Sequence, residues 1–341
     1  MAEMLTGATR CKAGQVWRWL GLLCLLSFLG GCAQFVPQTI SLREAWPPEV
    51  PRALELTSVP FFPQNEYQCG PAALATVMGS AGSKILPDNL VDEVYLPARR
   101  GSLQVEMLAA PRRHGLVPWQ LPARYDALLR ELAAGNPVLV LQDLGIWPVT
   151  NWHYAVVVGF DYETGMLYLR SGETERQMMP FTIFELTWKR GGYWAMVVNR
   201  PGSVPASATE ASYLPAMMAF ERTASPAASR DAWEAFLARW PGNAFASVAL
   251  SNRYYAERRL PLAEFVLRQA AAKNADSAEI LNNHAQVLSD MGHNDEALAV
   301  INRAAALNGN FAAEVADTRA GILRRLKPAN ASSEKPMPLN Q

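Results

Sequence analysis

Four short runs of strand-forming residues follow a helical stretch in the middle of this 341-residue chain, and that order decides the fold class. Val138-Leu139-Val140-Leu141, Tyr154 to Phe160, Met166 to Leu169 and Trp194 to Val198 lie between Gly, Pro and Asn residues, as strands do. Before them, the small and apolar run Ala72 to Met78, with Pro71 near its first turn, reads as a helix, as do Leu103 to Ala110 and Ala127 to Ala134. Helices first and consecutive strands afterwards indicate α+β instead of an alternating parallel sheet. Half the residues are hydrophobic and 18% are charged, which excludes a mostly disordered chain. The length allows about two domains, each with its own core. With 31 basic against 31 acidic side chains, the chain lacks the basic footprint of a nucleic-acid binder.

The N-terminus is a processing signal. Arg10, Lys12 and Arg18 form a basic leader, and Gly21 to Leu29 is an apolar run too short to span a membrane comfortably. It ends in Leu29-Gly30-Gly31-Cys32, which resembles the lipobox of bacterial lipoproteins. The resemblance implies a signal peptide over 1–31, a lipid-modified Cys32, and, with Ala33 next, sorting to the outer membrane facing the periplasm. Acyl chains then anchor the protein without a spanning helix. Of four cysteines, Cys11 and Cys24 leave with the leader and Cys32 carries the lipid. Cys69 remains as a lone thiol, which in an oxidising compartment is either a small buried hydrophobe or a reactive group.

Residues 32–56, rich in Pro and polar side chains, read as a tether, and a compact mixed domain spans 57–201. A linker containing one helix near Met217 covers 202–226, helical repeats fill 227–327, and 328–341 reads as a disordered tail. In the helical part Ser251, Tyr254, Ala263, Leu267 and Ala270 are matched 34 positions later by Ala285, Leu288, Ala297, Ile301 and Ala304. This period and its small and large positions resemble a tetratricopeptide helix pair, a generic helical bundle being the alternative. One period earlier Trp233, Phe236 and Pro241 mark a degenerate repeat, and Ala313 to Arg325 reads as a capping helix.

The chemistry concentrates around Cys69. A thiol placed just before Gly70-Pro71 and an apolar helix sits at that helix's N-terminus, where partial positive charge is expected to lower its pKa. The thiolate is the nucleophilic form. Gln64 carries an amide that can curl back beside the sulfur and, with the Cys69 N–H, cradle an oxyanion. Of four histidines, His284 and His293 lie in the repeats and His114 follows Arg112 and Arg113 in a loop. His153 opens a strand, Asn151-Trp152-His153-Tyr154-Ala155-Val156-Val157-Val158-Gly159, from which it can project toward a helix N-terminus. Trp147, Trp152, Trp188 and Trp194 are core aromatics or the lining of a peptide groove. No metal-ligand spacing or phosphate loop is evident, and no cofactor is expected.

The Gln64 to Ala73 block and the His153 strand resemble the bacteriocin-processing, or double-glycine leader, cysteine peptidases, over roughly residues 57 to 200. The resemblance implies a papain-like domain with Cys69 as nucleophile, His153 as general base and acid, and Gln64 as oxyanion-hole residue. Two positions depart from the family pattern. Gln64 precedes the cysteine by five residues instead of six. The aspartate that orients the histidine, expected about sixteen residues after it, is replaced by Leu169-Arg170-Ser171-Gly172. Ser171 or a backbone carbonyl then orients the ring more weakly, or Ser171 serves only the turn; loss of the carboxylate costs orders of magnitude in related triads.

The expected function is an envelope-tethered cysteine peptidase cleaving a peptide or protein through a thioester, with helical repeats recruiting substrate or a protein partner. The alternative of another class is a catalytically weak or inactive peptide-binding adaptor. Acyl transfer to an amine is a third outcome of the same dyad.

Overall fold

The computed structural model describes residues 36–63, 68–99, 101–146, 148–307 and 309–327. The leader, Cys32, Gln64, Trp147 and the 328–341 tail lie outside the described residues. Two compact units divide the chain. The first holds the residues up to Asn199 with Pro205–Ala208; the second holds the rest from Thr209, with short segments Gly115–Val117 and Arg200–Val204.

The first unit is α+β, with helices α1 (Pro37–Glu44), α2 (Cys69–Ser80), α3 (Pro87–Val94), α4 (Gln104–Arg113), α5 (Tyr125–Ala133) and α6 (Phe181–Arg190). Its strands are β1 (Ala53–Glu55), β2 (Tyr95–Leu96), β3 (Gly101–Ser102), β4 (Val117–Gln120), β5 (Val138–Asp143), β6 (Trp152–Asp161), β7 (Met166–Ser171), β8 (Thr174–Pro180) and β9 (Ala195–Asn199). The main sheet runs β4-β9-β5-β6-β7-β8, with β1 added to the far half of β6, and β2 and β3 form a separate hairpin. β5 is buried at all six positions and β6 from Tyr154 to Phe160, so their continuous Val, Leu and Ala runs suit strands covered on both faces.

The register separates the two faces. Leu141 is opposite Tyr154 and Gln142 opposite His153. The Tyr154 hydroxyl donates to the Ser102 carbonyl at 3.1 Å on the side of α2, whereas the Gln142 amide donates to Thr187 of α6 at 2.7 Å. Helix α2 is apolar all round and buried from Gly70 to Met78, as a helix pressed into a core must be. Fully burying Leu74 and Met78 contributes about 1.5–3 kcal/mol each.

The tether expected over 32–56 is corrected: from Pro37 the chain is folded into the first unit. Pro37 starts α1, where a missing N–H costs nothing, and the free N–H groups of Gln38 and Thr39 donate to the buried carboxylate of Glu185 at 2.9 and 2.6 Å. β1 then pairs with Gly159–Asp161. Gly159 is required there, because a Cβ would lie 2.4 Å from the Leu54 carbonyl oxygen.

Within the stretch read as a linker over 202–226, Pro205–Ala208 belongs to the first unit and the expected helix near Met217 is Glu210–Glu221. The N–H groups of Ala206 and Ser207 donate to buried Glu131 at 3.2 and 2.7 Å, which fastens this stretch to the first unit. Beyond it the second unit is all α: α7 (Glu210–Glu221), α8 (Pro226–Arg239), α9 (Ala244–Ala256), α10 (Leu260–Lys273), α11 (Ala278–Asp290), α12 (Asn294–Ala306) and α13 (Ala312–Leu326). The helices starting at Glu210, Ala244, Ala278 and Ala312 follow one another at intervals of 34 residues, as do those starting at Pro226, Leu260 and Asn294. Helix α7 is thus the first member of a repeating pair. Met217, Phe220, Ser229, Trp233 and Phe236 are buried, as are their counterparts one and two periods on, Ser251 to Ala270 and Ala285 to Ala304. Larger residues fill this first pair, with Tyr213 stacked on Phe236 at 6.1 Å.

Candidate active site

Cys69 is the first residue of α2, and the next residue, Gly70, has to be glycine: a Cβ there would lie 2.1 Å from Ser102 Oγ. The backbone N–H groups of Tyr154, Gly70 and Cys69 itself lie around the sulfur and favour its charged form. The first of these places the site. Leu141 donates its N–H to Trp194, away from β6, so its directly opposed partner Tyr154 directs its own N–H away from β5. On that side the neighbouring strand β7 has already ended at Ser171. The N–H therefore opens into a notch at the end of the sheet, and the thiol occupies it. The peptide group beside the sulfur is the one joining His153 to Tyr154.

His153 shares the face of β6 with Gln142, the face opposite Tyr154, and is not among the residues that line the cleft at Cys69. Its Nε2 lies 2.8 Å from Ser171 Oγ, the last residue of β7, so the expected partnership of these two residues is formed. Burial pushes the imidazole below its usual pKa of 6.5, which keeps the ring neutral. With a neutral ring, Nε2 or Nδ1 carries the single ring proton, and Ser171 can donate to or accept from Nε2.

The depressed thiol expected at the helix N-terminus is corrected. Burial pushes the Cys69 thiol up, and this outweighs the three backbone N–H groups that favour the thiolate. Burial and the sulfur also push the Tyr154 phenol well up, so it stays a hydrogen-bond donor.

The thiol is not sealed in hydrocarbon. Cys69 lines an open cleft of about 610 Å³ together with Ser102, Leu141, Trp152, Tyr154 and Gly192. Trp152 is exposed within it, whereas Trp188 and Trp194 are core residues. Arg190 borders the cleft and is tied down by the carbonyl groups of Asp143 and Gly145. Ser102 and the Tyr154 backbone are the parts of the site that the sequence did not signal; no motif marks either. Gln64 lies outside the described residues. His284 belongs to the repeats and bonds Glu264 at 3.2 Å, and His114 ends α4 beside Glu93 at 2.8 Å, so neither approaches the thiol's role.

A buried helix opened by cysteine, set against an antiparallel sheet whose inner strand is opened by histidine, is the papain-like cysteine peptidase fold. The chain carries it in its N-terminal part, followed by an all-helical region. Residues 56–196 match the family described as Peptidase_C39 like. No curated protein sequence matches the chain. Among solved structures, a protein described as a C39-like peptidase from Bacillus anthracis aligns with 43% of this chain and 96% of its own, at 18% identity and a TM-score of 0.37. The peptidase domain of Streptococcus ComA, a bi-functional ABC transporter involved in a quorum-sensing pathway, aligns with 41% and 98% respectively, at 18% identity and 0.35. A structure titled MamA MSR-1 C2 aligns with 36% of this chain and 76% of its own, at 18% identity and 0.28.

Proposed function

We propose that the protein is a cysteine peptidase held at the bacterial outer membrane by a lipid on Cys32. Cys69 is its nucleophile and His153 its general base and acid; Ser171 orients the imidazole, and Gln64 completes the oxyanion hole. What supports this reading is the pairing of elements: Cys69 opens the buried helix packed on β6, the strand near whose start His153 lies, and the ring of His153 is held by Ser171 at the end of β7. With Nε2 committed to Ser171, Nδ1 is the nitrogen that takes the thiol proton as the sulfur attacks a peptide carbonyl. The acyl group then resides on sulfur as a thioester until water removes it. The 34-residue helix pairs act as tetratricopeptide repeats that recruit the substrate or a protein partner.

The test is labelling with a thiol-reactive peptide probe. Cys69→Ala abolishes labelling while the protein keeps its fold by circular dichroism; unchanged labelling refutes the assignment. One observation favours a second reading, a peptide-binding adaptor: the thiol is pushed up, and no carboxylate stands where Ser171 does. A wild-type protein that binds peptides in the cleft but leaves Cys69 unlabelled supports that reading over the first.

A further inference from the structure

Ser102, the last residue of the β2–β3 hairpin, lines the same cleft as Cys69. Its backbone carbonyl is fixed by the Tyr154 hydroxyl. Its own hydroxyl is buried and has no hydrogen-bond partner. A Cβ built on Gly70 would fall 2.1 Å from this oxygen, so the hydroxyl packs on the first turn of α2, against the residue next to the nucleophile. A buried hydroxyl left unpaired is costly, and such groups persist where a ligand supplies the missing bond. The nearby N–H groups of Cys69 and Gly70 are donors already placed around the sulfur. What the hydroxyl lacks is an acceptor, and the acceptor that enters this cleft during reaction at Cys69 is a carbonyl oxygen.

We propose that Ser102 is a further oxyanion-binding residue, its hydroxyl donating to the carbonyl oxygen of the group under attack. The inference rests on Cys69 being the nucleophile. In the step it serves, the sulfur bonds to the carbonyl carbon and the thiol proton passes to His153. The carbonyl π electrons move onto oxygen, where the Ser102 hydroxyl stabilises the charge. Collapse re-forms the carbonyl and expels the leaving group, which takes up a proton from the imidazolium or departs as a stable anion. A donor that acts only on the developing oxyanion accelerates acyl chemistry and no other reaction of the thiol.

The experiment compares two reagents on the full chain. p-Nitrophenyl acetate acylates the thiol through an oxyanion and releases p-nitrophenolate; iodoacetamide alkylates it without one. Ser102→Ala slows p-nitrophenolate release about 100-fold and leaves the alkylation rate within about twofold. Equal slowing of both reactions makes Ser102 a packing residue and overturns the inference, as does an unchanged acylation rate. Failure of the underlying reading is separately visible: Cys69→Ser then releases p-nitrophenolate as fast as the wild type.

Discussion

Placing a carboxylate at position 171 tests the electrostatic logic of the site. Ser171 is buried and its Oγ is 2.8 Å from His153 Nε2, so in Ser171→Asp a carboxylate oxygen replaces the hydroxyl beside the ring. Two opposite charges about 4 Å apart attract by about 4 kcal/mol at an effective dielectric constant of about 20. Desolvating the carboxylate removes about half of this, leaving ~2 kcal/mol, or about 1.5 pK units on the imidazole. The equilibrium from thiol and imidazole to thiolate and imidazolium shifts by the same factor, about 30-fold. Because a thiolate's nucleophilicity falls with its pKa, the iodoacetamide rate at pH 7 rises about sixfold instead. The assay is the second-order alkylation rate across pH. The same substitution combined with His153→Ala gives no rise, since a carboxylate beside the sulfur without the ring only disfavours the thiolate. A rate unchanged by Ser171→Asp, or raised equally without His153, refutes the reasoning.

The sign of the pH dependence follows from the burial of His153. Its folded pKa lies below the ordinary 6.5, so the unfolded chain binds the proton more readily. Stability contributed by the neutral ring is complete above pH 6.5 and is lost as pH falls toward the folded value; Ser171→Asp weakens this loss in urea titrations at pH 5 to 7. Gly70→Ala drives a methyl to 2.1 Å from Ser102 Oγ and 2.7 Å from its Cβ, an overpacking worth about 1–3 kcal/mol. Calorimetry then shows the first unit melting several degrees lower; an unchanged Tm contradicts the close approach. Glu185→Ala strips two backbone N–H groups of α1 of their buried acceptor and costs about 2–4 kcal/mol. Hydrogen exchange over residues 37–44 rises toward that of a free segment, and protection equal to wild type refutes the clamp.

The elements legible in the sequence were those whose pattern is local. The Val and Leu run of β5 and the Tyr154–Phe160 run of β6 announce themselves, and each extends only one or two residues beyond what was expected. The 34-residue period was visible because small and large residues recur where helices touch. The first pair escaped in part, since Met217 and Phe236 fill with bulk what the next pair leaves to Ser251 and Ala270. Strand β8 was missed because Thr174 to Gln177 is polar and faces solvent, so no apolar alternation marks it. Helix α1 was missed because Pro37 looks like a tether residue until Glu185, far along the chain, supplies its cap. Cys69 and His153 stand out by their motif and Ser171 by its departure from it, but the burial around the thiol does not. A helix N-terminus is written in the local sequence; the burial that overrides it is set by strands far away.

The clamp on α1 also sets a distance. If Cys32 carries the lipid, four residues separate the anchor from Pro37, and the five steps along that chain reach at most about 18 Å. A domain leashed that closely rides on the bilayer surface instead of roaming the compartment. The peptide bonds within its range would then be those of other surface-bound or emerging chains.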